Sequence, residues 1–402
     1  MMAAASQVRS GSARSGRMPR LDYLLLLGAL ALAAFGLVMV TSASITLADR
    51  ELGQPFYYAI RQSIYIVIGI SGAMLLFRVR LALLEQAGVV LLAGSLALLV
   101  AVVIPGVGHE VNGSVRWINT GLFNLQVSEP AKLMILVYLA RYLARHGDEV
   151  RTQLSGFIKP LVILALAAFL LLLEPDFGAT VVLVATAMGM IFIAGVRLWQ
   201  FSGMLGLAGV SLAGLAVSSP YRIERLTTFL NPWADPFDSG FQLTQSLIAI
   251  GRGEFFGVGL GASIQKLFYL PEAHTDFVFA VLAEELGLIG VFTVIALYVL
   301  VVWRAFVIAA TAEKAGNTFA SLLAWGIGIW FGMQAFINMG VNMGLLPTKG
   351  LTLPLVSYGG SSMVVMCAAV ALLLRVDYET RCTVTGLSAS GAARAKRRRA
   401  TA

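Results

Sequence analysis

Charged residues are scarce in this chain: only 12% of its 402 residues are Asp, Glu, Lys or Arg, whereas 58% are hydrophobic. The mean hydropathy is +0.83. Soluble globular domains contain about 25% charged residues and do not need this much apolar sequence. The composition therefore excludes a soluble domain and indicates a polytopic membrane protein.

Cysteine and histidine are also rare, with two and three residues respectively. Cys367 lies in an apolar run and Cys382 in the C-terminal tail. This placement predicts neither a disulfide framework nor a zinc site. We expect no cleavable signal peptide, because the first apolar run is longer than the apolar region of such a peptide.

Long apolar runs are what the chain does have. Runs that reach, or nearly reach, the length needed to cross a bilayer of about 30 Å begin at Tyr23, Tyr57, Leu81, Leu133, Leu161, Ala179, Phe201, Phe277, Phe319 and Leu353. The fourth run is short and must include residues 127–132, and only residues 174–176 separate the fifth run from the sixth. The sequence predicts an all-α membrane protein with about ten transmembrane helices and a large extracytoplasmic loop, 218–276, between helices 7 and 8.

The distribution of basic residues predicts the orientation. If both termini are cytoplasmic, 20 of the 29 Lys and Arg residues lie on the cytoplasmic side, as the positive-inside rule requires. The predicted organisation is a basic cytoplasmic tail (1–20), a transmembrane domain (21–381) and a second basic tail (382–402). The basic cluster at 394–399 favours attraction to anionic lipid over nucleic-acid binding.

A polar cluster ends abruptly at the eighth apolar run: Glu272, His274 and Asp276 directly precede Phe277. Acidic residues at the mouth of a membrane helix are costly unless they are solvated or paired, so they are candidates for function. The alternative is that Thr275 or Asp276 only caps the following helix. The residues by themselves leave both interpretations open.

Five more polar residues are predicted on the same outer face. Glu129 and Lys132 are three residues apart and should pair on one helix face, in a structural or a catalytic role. Asp176 lies with Glu174 in a tight turn that needs no further explanation, but both acids emerge beside the Asp276 cluster. Arg116 precedes a tryptophan, an arrangement typical of a membrane-interface anchor.

The remaining candidates lie in two irregular segments. In the long loop, Lys266 is one of several cations that suit a phosphate-bearing ligand or outer-leaflet headgroups. Residues 233–250 are expected to form an amphipathic or re-entrant piece on the membrane surface. In the segment 344–362, prolines, glycines and Lys349 interrupt apolar sequence, which predicts irregular backbone lining a cavity. This segment is expected to form a third wall of one chamber with Asp176 and Asp276.

Taken together, these segments resemble the SEDS family of cell-wall proteins, which includes RodA and FtsW. The resemblance covers about residues 21–381, and within the family it favours the division-associated FtsW branch over the RodA branch. Phe268 departs from an acidic residue found in some members of that branch. The matching motifs are Asn112-Gly with Arg116-Trp117, Ser128-Glu129 with Ala131-Lys132, Glu174-Pro-Asp-Phe-Gly178, Gln242 with Gln245-Ser246, His274-Thr-Asp-Phe277 and Pro354-Leu-Val-Ser-Tyr-Gly-Gly-Ser-Ser362.

The resemblance implies a peptidoglycan glycosyltransferase that polymerises lipid II at the division septum, with Asp276 as the catalytic base. It also implies a class B penicillin-binding protein (the transpeptidase FtsI) and other divisome proteins as partners, and no nucleic acid. A divalent cation, Mg²⁺ or Mn²⁺, could assist. A lipid II flippase and a non-catalytic divisome scaffold are the alternatives. Substrate contacts are expected from Arg116, Glu129, Lys132, Asp176, Gln245, Lys266, His274, Lys349 and Ser357, with Arg116, Lys132 and Lys349 on the pyrophosphate.

Overall fold

Ten long helices follow the predicted crossings in a computed structural model that describes residues 21–111, 114–119, 124–217, 228–238, 240–267, 270–347 and 350–385. A shorter helix, α8, lies within the long loop. The helices are α1 (Tyr23–Leu52), α2 (Tyr57–Phe77), α3 (Leu81–Val103), α4 (Ser128–Thr152), α5 (Leu154–Leu173), α6 (Phe177–Ile193), α7 (Leu198–Val217), α8 (Phe241–Gly253), α9 (Val278–Lys314), α10 (Thr318–Asn342) and α11 (Gly360–Val384).

The helices have the length and composition of membrane spans. Among the described residues, seven of them (α1, α2, α3, α5, α9, α10 and α11) are long and apolar enough to cross a membrane, and α6 is apolar but shorter. As predicted, α4 begins at Ser128 and includes the residues that the fourth run lacked, and α5 and α6 are joined by three residues. The chain is a nearly all-helical, multi-pass membrane protein.

The predicted start of the last helix was wrong, and the eighth predicted run is interrupted, each for a physical reason. The last helix begins at Gly360 and not at Leu353, because the apolar side chains of Leu351, Leu353 and Leu355 are buried from irregular backbone. The eighth run is divided at Gly287, whose φ of 62° and ψ of −160° are not helical. Residues 278–286 therefore form a separate, almost completely buried helical piece, and the membrane-crossing part of α9 follows the break.

A small antiparallel sheet, which the sequence did not predict, connects α3 with α4. Its strands are β1 (Gly108–Val111), β2 (Ser114–Asn119) and β3 (Asn124–Gln126), in the order β1-β2-β3. The Gln126 backbone N–H donates to Ser361 Oγ at 2.9 Å, and Ser361 Oγ donates to the Asn124 carbonyl at 3.1 Å. These contacts attach the sheet, and Arg116 within β2, to the start of α11.

The two described ends of the chain meet at one end of the helix bundle. Asp22 caps α1 by accepting from the Leu25 N–H at 3.0 Å. Its carboxylate also accepts from Arg304 Nε at 3.0 Å and lies 3.9 Å from Arg381 Nη2. Both ends of a chain lie on the same side of a membrane when the number of crossings is even. The cytoplasmic location of this end stays a prediction.

Candidate active site

Asp276 lies where three segments converge: 270–277, the turn between α5 and α6, and the irregular segment 350–359. A Cβ atom placed on Gly350 would lie 3.1 Å from Asp276 Oδ2 and 3.9 Å from Arg116 Nη1. A Cβ on Gly178 would lie 2.8 Å from Leu351 Cγ. Only residues without a side chain allow these approaches. The structure therefore confirms that the segment 344–362 closes against both acidic sites.

Helix capping does not explain Asp276. The N-cap residue of α9 is Phe277, and no side chain caps it. The Ala280 N–H in the first turn donates to Asn342 Oδ1 at 3.2 Å, so α10 supplies an acceptor there. Thr275 Oγ1 donates to Glu272 Oε2 at 2.6 Å. The capping interpretation is wrong, and the Asp276 carboxyl is not engaged with the helix start.

The electrostatic environment of Asp276 favours proton exchange near neutral pH. The residue is partly exposed, yet its carboxyl is enclosed by protein. This burial and the negative charges of Glu272 and Asp176 raise the pKa of Asp276 to about 7, against the opposing effect of Arg116. A carboxyl with a pKa close to the working pH can both accept and return a proton.

The turn between α5 and α6 contains two more acids, Glu174 and Asp176. Glu174 is fully buried, and neither carboxyl oxygen has a hydrogen-bond partner in the described residues. Burial and the charge of Asp176 raise the pKa of Glu174 to about 9, although Arg116 opposes them. Glu174 is therefore protonated at neutral pH. Asp176 Oδ1 caps α6 by accepting from the Ala179 N–H at 3.0 Å, which confirms the tight turn.

Three amides along one face of α10 hold the Asp276 segment and the 350–359 segment together. Asn338 Nδ2 donates to the carbonyls of Asp276 at 2.9 Å and Leu351 at 2.6 Å. Asn342 Nδ2 donates to the Asp276 carbonyl at 3.0 Å, and Gln334 Nε2 donates to the Thr352 carbonyl at 3.0 Å. Our sequence analysis missed them. Amides at every fourth position of an otherwise apolar helix are the signal that could have revealed them.

The predicted ion pair is present and deeply buried. Lys132 Nζ lies 2.9 Å from Glu129 Oε1, and both side chains are at most 3% exposed. The same ammonium donates to Gln334 Oε1 at 2.9 Å and lies 5.1 Å from the centroid of the Trp330 ring. Lys132 is thus linked through Gln334 to the segment beside Asp276. Its enclosure by protein favours a supporting role over direct contact with a phosphate.

Lys266 belongs to a different cluster. Its ammonium lies 2.7 Å from Glu285 Oε1 and donates to Ser42 Oγ at 3.0 Å, with the lysine side chain only 3% exposed. The adjacent Glu284 accepts from the Ile264 N–H at 3.1 Å. The described contacts of Lys266 do not include Asp276. Sequence analysis missed both glutamates as partners of this loop.

The other predicted residues are distributed around the site. His274 is buried, its ring 4.5 Å from that of Tyr58. Ser357 Oγ accepts from the Leu353 N–H at 2.8 Å and stabilises the turn there. Gln245 is half-buried on α8, which forms the second part of the segment 233–250; the location of that segment on the membrane surface stays a prediction. Lys349 and Phe268 lie outside the described residues.

Metal binding has no preformed site in the part of the chain that the structure describes. No three His, Cys, Asp or Glu side chains in those residues are grouped so that they could hold a metal ion. The acids around Asp276 therefore do not by themselves form a cation cage. A divalent cation stays a prediction of the sequence.

The amino-acid sequence was compared with protein families and with individual proteins. The profile of the cell cycle protein family FtsW/RodA/SpoVE matches residues 22–382. The chain is 61% identical over 361 residues to the probable peptidoglycan glycosyltransferase FtsW of Thioalkalivibrio sulfidiphilus, covering 90% of each protein. It is 59% identical over 366 residues to the protein of the same name from Nitrosococcus halophilus, covering 91% of this chain and 94% of that protein.

Two solved structures also match this chain over most of its length. A chain of a peptidoglycan synthase complex, described as coordinating polymerization and crosslinking, matches 90% of this chain and 98% of its own length with a TM-score of 0.74 and 30% identity. The rod shape determining protein RodA of Thermus thermophilus matches 89% of this chain and 96% of its own length with a TM-score of 0.66 and 28% identity. The chain belongs to the FtsW/RodA/SpoVE family of cell cycle proteins.

Proposed function

We propose that this protein is a peptidoglycan glycosyltransferase that polymerises lipid II into glycan strands at the division septum, with Asp276 as general base. The names of its relatives support the reaction class. The observation that carries the residue assignment is the Asp276 carboxyl, which has a pKa of about 7 and lies beside Arg116 in a site closed by the 350–359 segment.

The proposed reaction joins two lipid-linked saccharides. Asp276 takes the proton of the acceptor sugar hydroxyl as that oxygen attacks the anomeric carbon of the donor. A new glycosidic C–O bond forms while the C–O bond to the polyprenyl pyrophosphate breaks. Negative charge develops on the departing pyrophosphate, and the guanidinium of Arg116 is placed to stabilise it. The proton can then leave Asp276 to solvent, since its pKa is about 7.

Lys132 and Glu129 take a supporting part in this scheme. Their ion pair, together with Gln334, holds Thr352 and thereby the wall of the site next to Asp276. Glu174 is neutral at pH 7, so it adds no negative charge beside Asp176. The wall can therefore remain closed around a site in which Arg116 is the cation proposed for the pyrophosphate.

We propose a class B penicillin-binding protein, the FtsI transpeptidase, as partner within the divisome. The match to a peptidoglycan synthase complex supports an assembly of this kind. The proposed location is the cytoplasmic membrane at the septum, with both termini cytoplasmic. Thiol labelling of intact spheroplasts should reach Asp238→Cys and miss Thr385→Cys in a Cys382→Ser background. The reverse pattern would place Asp276 in the wrong compartment.

Polymerisation without a bilayer tests the proposed function. The full chain, purified in detergent micelles with its transpeptidase partner, should convert lipid II into glycan strands, because no membrane needs to be crossed. A flippase or a scaffold would produce no strands under these conditions. A preparation of the partner from cells that do not express this chain, purified in parallel, controls for a co-purifying polymerase. Strand formation that is equal in both preparations would assign the activity to a contaminant.

A further inference from the structure

A cluster of aromatic rings adjoins the site on the side of α2. Tyr58 lies 5.3 Å from Tyr57, 5.1 Å from Tyr358 and 4.5 Å from His274, measured between ring centroids. Tyr65 lies 6.2 Å from Tyr358. The tyrosine rings are half-buried, so each keeps an exposed part. We call these four tyrosines and His274 the aromatic platform.

One exposed cation completes the platform. Arg61 is on α2, one turn beyond Tyr57, and its guanidinium carbon lies 4.6 Å from the centroid of the Tyr57 ring. The guanidinium also interacts electrostatically with the side chain of Tyr358. Lys132 and Lys266, in contrast, are enclosed and paired with acids. Arg61 is exposed to solvent and remains accessible to an anionic ligand.

A membrane-interface belt is the simpler explanation for tyrosines at the end of a helix. Rings in such a belt need only reach headgroup depth, independently of one another. Here Tyr58 packs edge to face with Tyr57 and Tyr358, and its ring is tilted against that of His274, so the contacts unite three separate segments: α2, 270–277 and 350–359. The Tyr358 N–H donates to the His274 carbonyl at 3.0 Å, and Gln62 Nε2 donates to the Ser357 carbonyl at 3.2 Å. The platform is therefore built onto the loop that carries Asp276.

The proposed reaction needs two anionic lipid-linked substrates at once. The donor loses its pyrophosphate, and Arg116 lies beside Asp276 where that charge develops. The acceptor keeps its pyrophosphate and must present a sugar hydroxyl to Asp276. It therefore requires a second cation and a surface that holds a saccharide next to the base. Arg61 and the aromatic platform, on a different element from Arg116, supply both.

We propose that the aromatic platform binds the saccharide of the acceptor substrate and that Arg61 binds its pyrophosphate. Exposed ring faces offer apolar surface to the C–H groups of a sugar, and the phenol hydroxyls can exchange hydrogen bonds with its hydroxyl groups. His274, at the base of the platform, lies two residues before Asp276. This inference rests on the proposed function and assigns the second subsite of the same reaction.

Two lipid II analogues separate the subsites in a binding experiment. One has its acceptor hydroxyl blocked and can act only as donor. The other carries a phosphonate in place of the leaving oxygen and can act only as acceptor. Equilibrium binding of each is measured with the full chain in nanodiscs, with and without phosphatidylglycerol. The variants are Arg61→Ala and Tyr58→Leu. The matched controls are Arg78→Ala, an exposed arginine at the other end of α2, and Tyr23→Leu, an exposed tyrosine at the start of α1.

Arg61→Ala and Tyr58→Leu should each weaken binding of the acceptor analogue by about tenfold, the scale of one lost charge-assisted contact, and leave donor binding unchanged. The controls should bind both analogues normally. Equal loss of both analogues, or no loss, would overturn the inference while the proposed function stands. An Arg61→Ala loss seen only with phosphatidylglycerol present would overturn it too, by assigning Arg61 to phospholipid. A wild-type chain that binds neither analogue would contradict the proposed function itself.

Discussion

Two groups of acids lie at the two ends of the buried piece 278–286, and the surroundings of the two groups respond differently to their burial. Glu284 and Glu285, at its end, are fully buried and receive donors from Ser263, Ile264, Lys266 and Ser42. Asp276, just before its start, has acidic neighbours, and its pKa rises to about 7. The hydrogen-bond and ion-pair donors offset the desolvation cost of burying the charged glutamates. At Asp276 that cost is not offset, and it raises the affinity of the carboxylate for a proton.

This contrast distinguishes acids that stabilise the fold from an acid that can exchange a proton. A buried carboxylate that is saturated with donors cannot readily accept a proton, but it fixes the backbone around it. The glutamates fix the loop 252–267 against the piece 278–286, where the Val258 and Gly259 N–H groups also donate to the carbonyls of Glu284 and Glu285 at 3.0 Å each. A carboxyl without such partners destabilises the site slightly and remains able to react.

The largest expected difference between the two ends is in stability. Glu285→Ala leaves the Lys266 ammonium buried without its counter-ion, so the free energy of unfolding should fall by about 3–5 kcal/mol. Asp276→Ala should change it by less than about 1 kcal/mol, because Asp276 forms no ion pair in the part of the chain that the structure describes. Unfolding in mixed micelles, followed by circular dichroism, measures both. The double variant Glu285→Leu/Lys266→Met should recover most of the loss. Equal stabilities for Glu285→Ala and wild type would remove the contrast.

A smaller effect is expected at the amides that position Asp276. Asn338→Leu removes the donor that the carbonyls of Asp276 and Leu351 share, at a cost of about 1–3 kcal/mol. Since these carbonyls set the position of the base, kcat should fall several-fold with little change in KM. Thr311→Val on the exposed face of α9 is the control. An Asn338→Leu protein with unchanged kcat would show that the amides only stabilise the fold.

The smallest effect is a shift in pH dependence. The proposed reaction needs ionised Asp276, so kcat/KM should decrease as the pH falls below about 7. The negative charge of Glu272 raises the pKa of Asp276 and the positive charge of Arg116 lowers it. Glu272→Gln should therefore move the midpoint of the profile to lower pH, and Arg116→Gln to higher pH. Midpoints that move in the same direction would show that another group controls the profile.

The sequence predicted those features that depend on local composition. Long apolar runs predict helices in a bilayer because every backbone polar group must be satisfied internally. The pairing of Glu129 with Lys132 follows from their spacing of three residues. The last helix start was wrong because hydropathy measures burial, and the apolar segment 351–356 is buried without being helical.

Long-range pairing explains what sequence reasoning could not reach. Lys266 is adjacent to no acid in the sequence, and only the fold brings it to Glu285 and to Ser42 on α1. The aromatic platform likewise unites residues that are about 200 to 300 positions apart. The neighbourhood of Asp276, Arg116 and Asp176 was predicted from their shared outer face. The amides of α10 that hold it were not, because their partners are backbone carbonyls, which side-chain patterns do not reveal.

Substituting Asp276 by Asn tests the central claim most directly. The change preserves size and removes both the negative charge and the capacity to take a proton. Since the carboxyl does not cap α9 and forms no ion pair within the described residues, folding and binding to the proposed transpeptidase partner should be retained. Polymerisation of lipid II should fall by about 100-fold or more, the scale for the loss of a general base, whereas Glu254→Gln, at an exposed acid near α8, should leave it unchanged. A folded Asp276→Asn protein that polymerises lipid II at a rate near that of the wild type would contradict the assignment of Asp276 as the base.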